Sequence, residues 1–76
     1  MSGYRARDVT KWRLEIQEDG SWDVYQGRKR IMRNADYVGA IRKVRSKTRD
    51  DEPIKVVSVE PDGYETDITR TVQRGR

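Results

Sequence analysis

The chain has no cysteine and no histidine. Without cysteine there are no disulfide staples and no thiol chemistry, which fits a reducing compartment. Lacking both residues also removes zinc sites of the usual kind and histidine-based acid–base catalysis. Apolar residues are scarce as well, 33% against 39% charged in 76 residues. No apolar run approaches the roughly 20 residues that span a bilayer. The opening Met-Ser-Gly-Tyr-Arg-Ala-Arg lacks the apolar stretch of a secretory signal, so a cytoplasmic protein with no membrane role is expected. A chain of this length buries only about 60% of its unfolded surface, which limits it to one small domain with a thin core.

Charge is abundant, and it is segregated. Residues 28–49 hold nine bases (Arg28, Lys29, Arg30, Arg33, Arg42, Lys43, Arg45, Lys47 and Arg49) against the single acid Asp36. Residues 50–67 reverse the sign, with seven acids against Lys55 alone. The net charge of +4 therefore conceals a strong dipole along the chain. A dense basic surface concentrates and steers polyanions, so the composition points toward a polyanionic partner.

Apolar periodicity predicts an α+β fold. Residues 11–17, Lys-Trp-Arg-Leu-Glu-Ile-Gln, alternate strictly, placing Trp12, Leu14 and Ile16 on one face of a half-buried strand. Asp19-Gly20 signals a hairpin turn, and residues 21–26 resume the alternation with Trp22 and Val24 on the same face. Gly27 marks a bulge or a second turn, after which residues 28–32 continue the second strand or begin a short extra one. Tyr37, Ala40, Ile41, Val44 and Thr48 recur at helical steps, with Asn34 or Asp36 available as the cap. Gly39 costs about 1 kcal/mol inside a helix, and a close helix–sheet contact is the expected reason for it. Pro53 ends the helical segment. Residues 54–59, apolar on both faces at Val56 and Val57, read as a central strand, and Glu60-Pro61-Asp62-Gly63 turns the chain into a last strand reaching to about Arg70. The expectation is β-β-α-β-β over residues 9–70, with one helix on a mainly antiparallel four-stranded sheet. Residues 1–8 are expected to be a flexible arm and residues 71–76 a flexible tail.

The basic segment is the main candidate for a site. Arg42, Arg45 and Arg49 fall at three- and four-residue steps and would share one side of the helix, while Arg28, Lys29 and Arg30 end the first hairpin. Arginine forks bind phosphates in pairs and give affinity with little base specificity. Trp12 and Trp22 belong on the apolar face and are read as core. Tyr25 alternates to the opposite face beside Arg13 and Arg28, where it either stacks a base or packs across strands. Tyr4, among Arg5 and Arg7, would belong to a basic arm of the kind that enters a minor groove. Asp50, Asp51 and Glu52 form a loop without the calcium-loop pattern, and no pair of carboxylates marks an active centre.

The span Gly20-Ser21-Trp22-Asp23-Val24-Tyr25-Gln26-Gly27-Arg28-Lys29-Arg30 followed by a helix resembles the small arm-binding domains at the N-termini of phage tyrosine integrases. The resemblance covers residues 20–49. It implies a three-stranded sheet that reads the DNA major groove, with Trp22, Tyr25, Arg28 and Arg30 on or beside the contacting face. The second hairpin after the helix departs from that pattern. The complete strand and helix order, with Trp22 early and Asp62-Gly63 late, also resembles a widespread family of small uncharacterised bacterial and phage domains, which implies no function.

The reading is of a non-enzymatic accessory binding protein without metal, cofactor or small-molecule substrate, monomeric or weakly dimeric. It would engage nucleic acid through Tyr25, Arg28, Lys29, Arg30, Arg42, Arg45 and Arg49. The alternative is a protein–protein module that docks on another protein or self-associates through a strand edge.

Overall fold

The computed structural model describes residues 9–49 and 51–74, which form five strands and two short helices. In chain order these are β1 (Thr10–Ile16), β2 (Trp22–Gln26), β3 (Lys29–Ala35), α1 (Tyr37–Lys47), β4 (Ile54–Val59), β5 (Glu65–Asp67) and α2 (Thr69–Arg74). The strands make one sheet in the order β3-β2-β1-β4-β5. Its β1–β4 pairing is parallel and the others are antiparallel. The N-terminal arm with Tyr4 lies outside the described residues.

The alternation along β1 fixes the two faces. Leu14 stands opposite Val24 and Ser58, and Trp12 opposite Val56, so one face carries the apolar set. Both helices cover that face: α1 lies against β2 and β3, α2 against β4, and the helices touch each other. The core is Trp12, Leu14, Val24, Ala35, Ala40, Ile41, Val44, Ile54, Val56 and Val72, with Trp22, Ile31, Met32 and Ile68 packed against it. Trp22 also meets Tyr37 edge to face, with ring centroids 5.3 Å apart. Of the predicted helical stripe, Ala40, Ile41 and Val44 are buried, whereas Tyr37 is exposed and Thr48 is the C-cap beyond the helix.

Two expectations need correction. The sheet has five strands, because Gly27, at φ 61°, occupies the first corner of a two-residue turn and sends residues 29–35 back as a separate strand, and it is mixed because β1 and β4 run parallel. Strand order, which the sequence leaves open, follows from the path after α1, where the chain joins the free side of β1. This makes β4 an internal strand between β1 and β5, as its valine-rich run predicts. The last strand stops at Asp67, not near Arg70. The Val56 amide donates to the Thr69 hydroxyl at 2.8 Å, so a side chain takes the place of a ladder partner and the chain turns into α2. Residues 71–74 are accordingly helical rather than a tail, and Val72 is fully buried.

An aspartate accepts a backbone amide near the start of each helix. Asp36 is the N-cap of α1, its Oδ1 accepting the Gly39 amide at 2.7 Å. A Cβ on Gly39 would come within 2.9 Å of that oxygen, so the cap, and not the sheet, is the close contact that favours glycine there. Asp36→Ala should cost about 1 kcal/mol and lower the melting temperature by roughly 4–8 °C, read by thermal unfolding. Asp67 accepts the Thr69 amide at 2.9 Å. Hydrogen bonds from the Thr69 side chain and backbone hold its carboxyl below the ordinary value of 3.8. Its contribution is present at neutral pH and disappears only as the pH falls through that depressed value.

Candidate nucleic-acid interface

None of the described residues covers the face of the sheet turned away from the helices. Register places Arg13 opposite Tyr25 and Val57, Lys11 opposite Lys55, and Tyr25 opposite Arg30, so these side chains share that face. The Arg13 guanidinium lies over the Tyr25 ring, 5.0 Å from its centroid. Its Nε also donates to Glu15 at 2.8 Å, the sole ion pair among the described residues. Both partners are substantially exposed, so this pair adds little stability and serves to tether the guanidinium that lies over the tyrosine.

Arg28 sits in the β2–β3 turn, Lys29 opens β3 and Arg30 follows on the open face. All three are exposed, and none makes an ion pair or side-chain hydrogen bond among the described residues. Their charge remains available to a partner. Arg33 is exposed further along the same strand.

The helix arginines do not join this group. Arg42 and Arg45 lie on the covered face of the sheet, beside Tyr37, Val38, Ile41 and Thr71. Arg45 is spent on the fold: its Nε donates to the Val72 carbonyl at 2.7 Å and its NH2 to that of Thr71 at 3.1 Å, which satisfies acceptors at the end of α2. Arg49 lies beyond α1, because Thr48 at φ −123° and ψ 155° turns the chain out of the helix. It borders Asp51, Glu52 and Pro53, and its amide donates to Glu52 at 3.0 Å. The helical step therefore does not carry Arg49 alongside Arg42 and Arg45. Of the seven residues read as a site, Tyr25 and Arg30 share the open face, with Arg28 in the adjoining turn. Lys29, paired with Gln26 on the Trp12 side, is exposed at the rim of the other face, and Arg42, Arg45 and Arg49 do not join them.

Three neighbours went unnoticed in the sequence. Lys11, Val57 and Glu65 line a shallow depression of about 240 Å³ on the open face, with Trp12, Arg13 and Gly27. Lys11 was findable from strand parity. Val57 and Glu65 needed the β1–β4 pairing, which no local signal announces.

Charge is also segregated across the sheet. The β3 edge carries Lys29, Arg30 and Arg33, and the opposite edge, β5, carries Glu65 and Asp67. Among the described residues no acidic group is placed to hold a metal ion, and no helix is long and apolar enough to cross a membrane. The chain matches no protein-family model, no curated protein and no solved structure.

Proposed function

We propose that this domain is a non-enzymatic module that binds nucleic acid, with the β2–β3 hairpin and the adjoining open sheet face as its contact surface. The supporting observation is that Arg30 and the turn residue Arg28, neither paired among the described residues, lie beside the Arg13–Tyr25 contact on a face that none of the described residues covers. Phosphates supply the affinity through the guanidinium forks, and the aromatic pair offers a plane to a base. The acidic β5 edge orients the molecule, because a polyanion is repelled there and drawn to the opposite edge.

Self-association by strand pairing fits the same surface less well. The β3 edge carries register shifts against β2 between Trp22 and Val24 and again between Val24 and Tyr25, and Asn34 is held at φ 61°. Bulges and exposed charges are the devices that keep sheet edges from pairing. The β5 edge is three residues long and fully exposed.

Binding of labelled oligonucleotides, measured by mobility shift at about 50 mM and about 200 mM salt, tests the proposal. Affinity should fall steeply with salt. Arg28→Ala and Arg30→Ala should each reduce the log–log salt slope by about one and weaken binding to all sequences alike. Arg42→Ala and Arg49→Ala should leave the slope unchanged. No shift in dilute buffer would discard the reading.

A further inference from the structure

The open face as a whole is too broad to enter a groove of a duplex. Five strands set about 4.8 Å apart span roughly 19 Å between their outer axes. The major groove is about 12 Å wide and the minor groove about 6 Å. A two-stranded ribbon such as β2–β3 fits the wider groove, but the whole face does not. An unpaired strand has no such limit, since its bases splay out and lie flat on exposed aromatic and guanidinium planes.

Charge then decides how a strand would lie. Arg28, Lys29, Arg30 and Arg13 occupy the β1–β3 half, and Glu65 and Asp67 the β5 edge. Lys55 is the one cation on β4 of that face, so phosphates are drawn mainly to the first half and the bases point across the sheet toward β4. There the depression bordered by Lys11, Arg13, Gly27, Val57 and Glu65 provides about 240 Å³. That is below the roughly 300–1,000 Å³ of ordinary ligand pockets, leaving room for a single planar ring system rather than a whole cofactor. Val57, half-buried, forms an apolar floor. Glu65 on the rim can only accept hydrogen bonds when ionised. It suits an exocyclic amino group such as N4 of cytosine and repels the O4 carbonyl that thymine or uracil offers at the same position.

We infer that the open face takes a single nucleic-acid strand, stacking one unpaired base on the Arg13–Tyr25 pair and seating another in the adjoining depression, where Glu65 selects an amino-bearing edge. This inference rests on the nucleic-acid reading and gives it a substrate class.

Fluorescence anisotropy with labelled oligo-dC, oligo-dT, the matching RNA strands and a duplex of equal length, all at one low salt concentration, tests it. The single strand of cytosine should bind at least about tenfold more tightly than the duplex. Tyr25→Ala and Tyr25→Leu should each lose about tenfold on the single strand while leaving the duplex unchanged, and Tyr25→Phe should retain wild-type affinity. Glu65→Gln should erase the preference for cytosine over thymine without lowering overall affinity. Thermal unfolding of each variant confirms that the sheet is intact. The RNA strands report whether the sugar matters, and either preference supports the inference provided single strands exceed duplex. Equal or tighter duplex binding, or equal losses in Tyr25→Leu and Tyr25→Phe, overturns the inference while the hairpin reading stands. Absence of binding to any of these ligands removes both.

Discussion

Trp12→Ala should abolish most of the stability of this domain. The indole is 1% exposed and lies in the middle of the sheet, on β1 between Gln26 of β2 and Val56 of β4. Deleting a buried tryptophan side chain costs about 3–5 kcal/mol, since the lost transfer energy is joined by a cavity that the neighbours fill only in part. A domain of this length has roughly 4–11 kcal/mol in total, and a thin core places it toward the lower end. Urea unfolding followed through the remaining Trp22 should show a midpoint reduced to less than half. Trp12→Phe is the informative comparison. The Trp12 Nε1 is buried and has no acceptor among the described residues. An orphaned donor costs about 1–3 kcal/mol, so phenylalanine loses packing volume but also removes that cost. Trp12→Phe should stay within about 1 kcal/mol of wild type. A loss as large as that of alanine would mean that the N–H is satisfied in solution.

The parts of the fold legible in the sequence are those set by neighbours in the chain. Alternation from Thr10 to Ile16 and from Trp22 to Gln26, joined through a glycine at φ 89°, defines the first hairpin without reference to anything distant. The stripe Ala40, Ile41 and Val44 and the cap at Asp36 define α1 in the same way. What escaped was decided at long range. The β1–β4 pairing is parallel and joins segments some forty positions apart, as in Thr10 against Ile54. Nothing local distinguishes it from an antiparallel solution, because Val56 and Val57 offer apolar surface to both faces in either case. Thr69 misled for a related reason. Threonine favours strands, and here it remains attached to β4, but through its hydroxyl rather than its backbone.

The candidate site was legible by half. Strand parity alone assigns Tyr25 and Arg13 to the face opposite Trp12, and the coordinates place the guanidinium on the ring. The same reasoning failed for Arg45 and Arg49. Spacing along a helix gives the direction of a side chain relative to its own axis, and says nothing of a second helix that comes to lie against it. The carbonyls of Thr71 and Val72 draw in Arg45, and the extended backbone at Thr48 turns Arg49 away. Charge runs in sequence therefore overstate a site whenever part of the run is consumed by capping.

Removing residues 71–76 should be nearly as damaging as a core deletion, although these positions read in sequence as a polar tail. Val72 is fully enclosed in the core cluster, and burying such a side chain stabilises by about 1.5–3 kcal/mol. The truncation also deletes both carbonyls that hold Arg45, and hydrogen bonds from charged groups contribute about 1.5–3 kcal/mol. Because Arg45 is half-exposed and can turn to water, the second contribution lies at its lower end or below. A combined loss of about 3 kcal/mol corresponds to a fall in melting temperature of roughly 12–24 °C. Solvated tail residues would change stability by no more than about 0.5 kcal/mol. A double-mutant cycle locates the effect: Arg45→Ala should cost about 1 kcal/mol in the full chain and nothing once residues 71–76 are gone, because its acceptors have already left. The hairpin cations lie on the other side of the sheet, so at temperatures where the truncated chain stays folded its salt slope for nucleic acid should equal that of the full chain. An unchanged melting temperature after truncation would show that Val72 does not fill the core in solution.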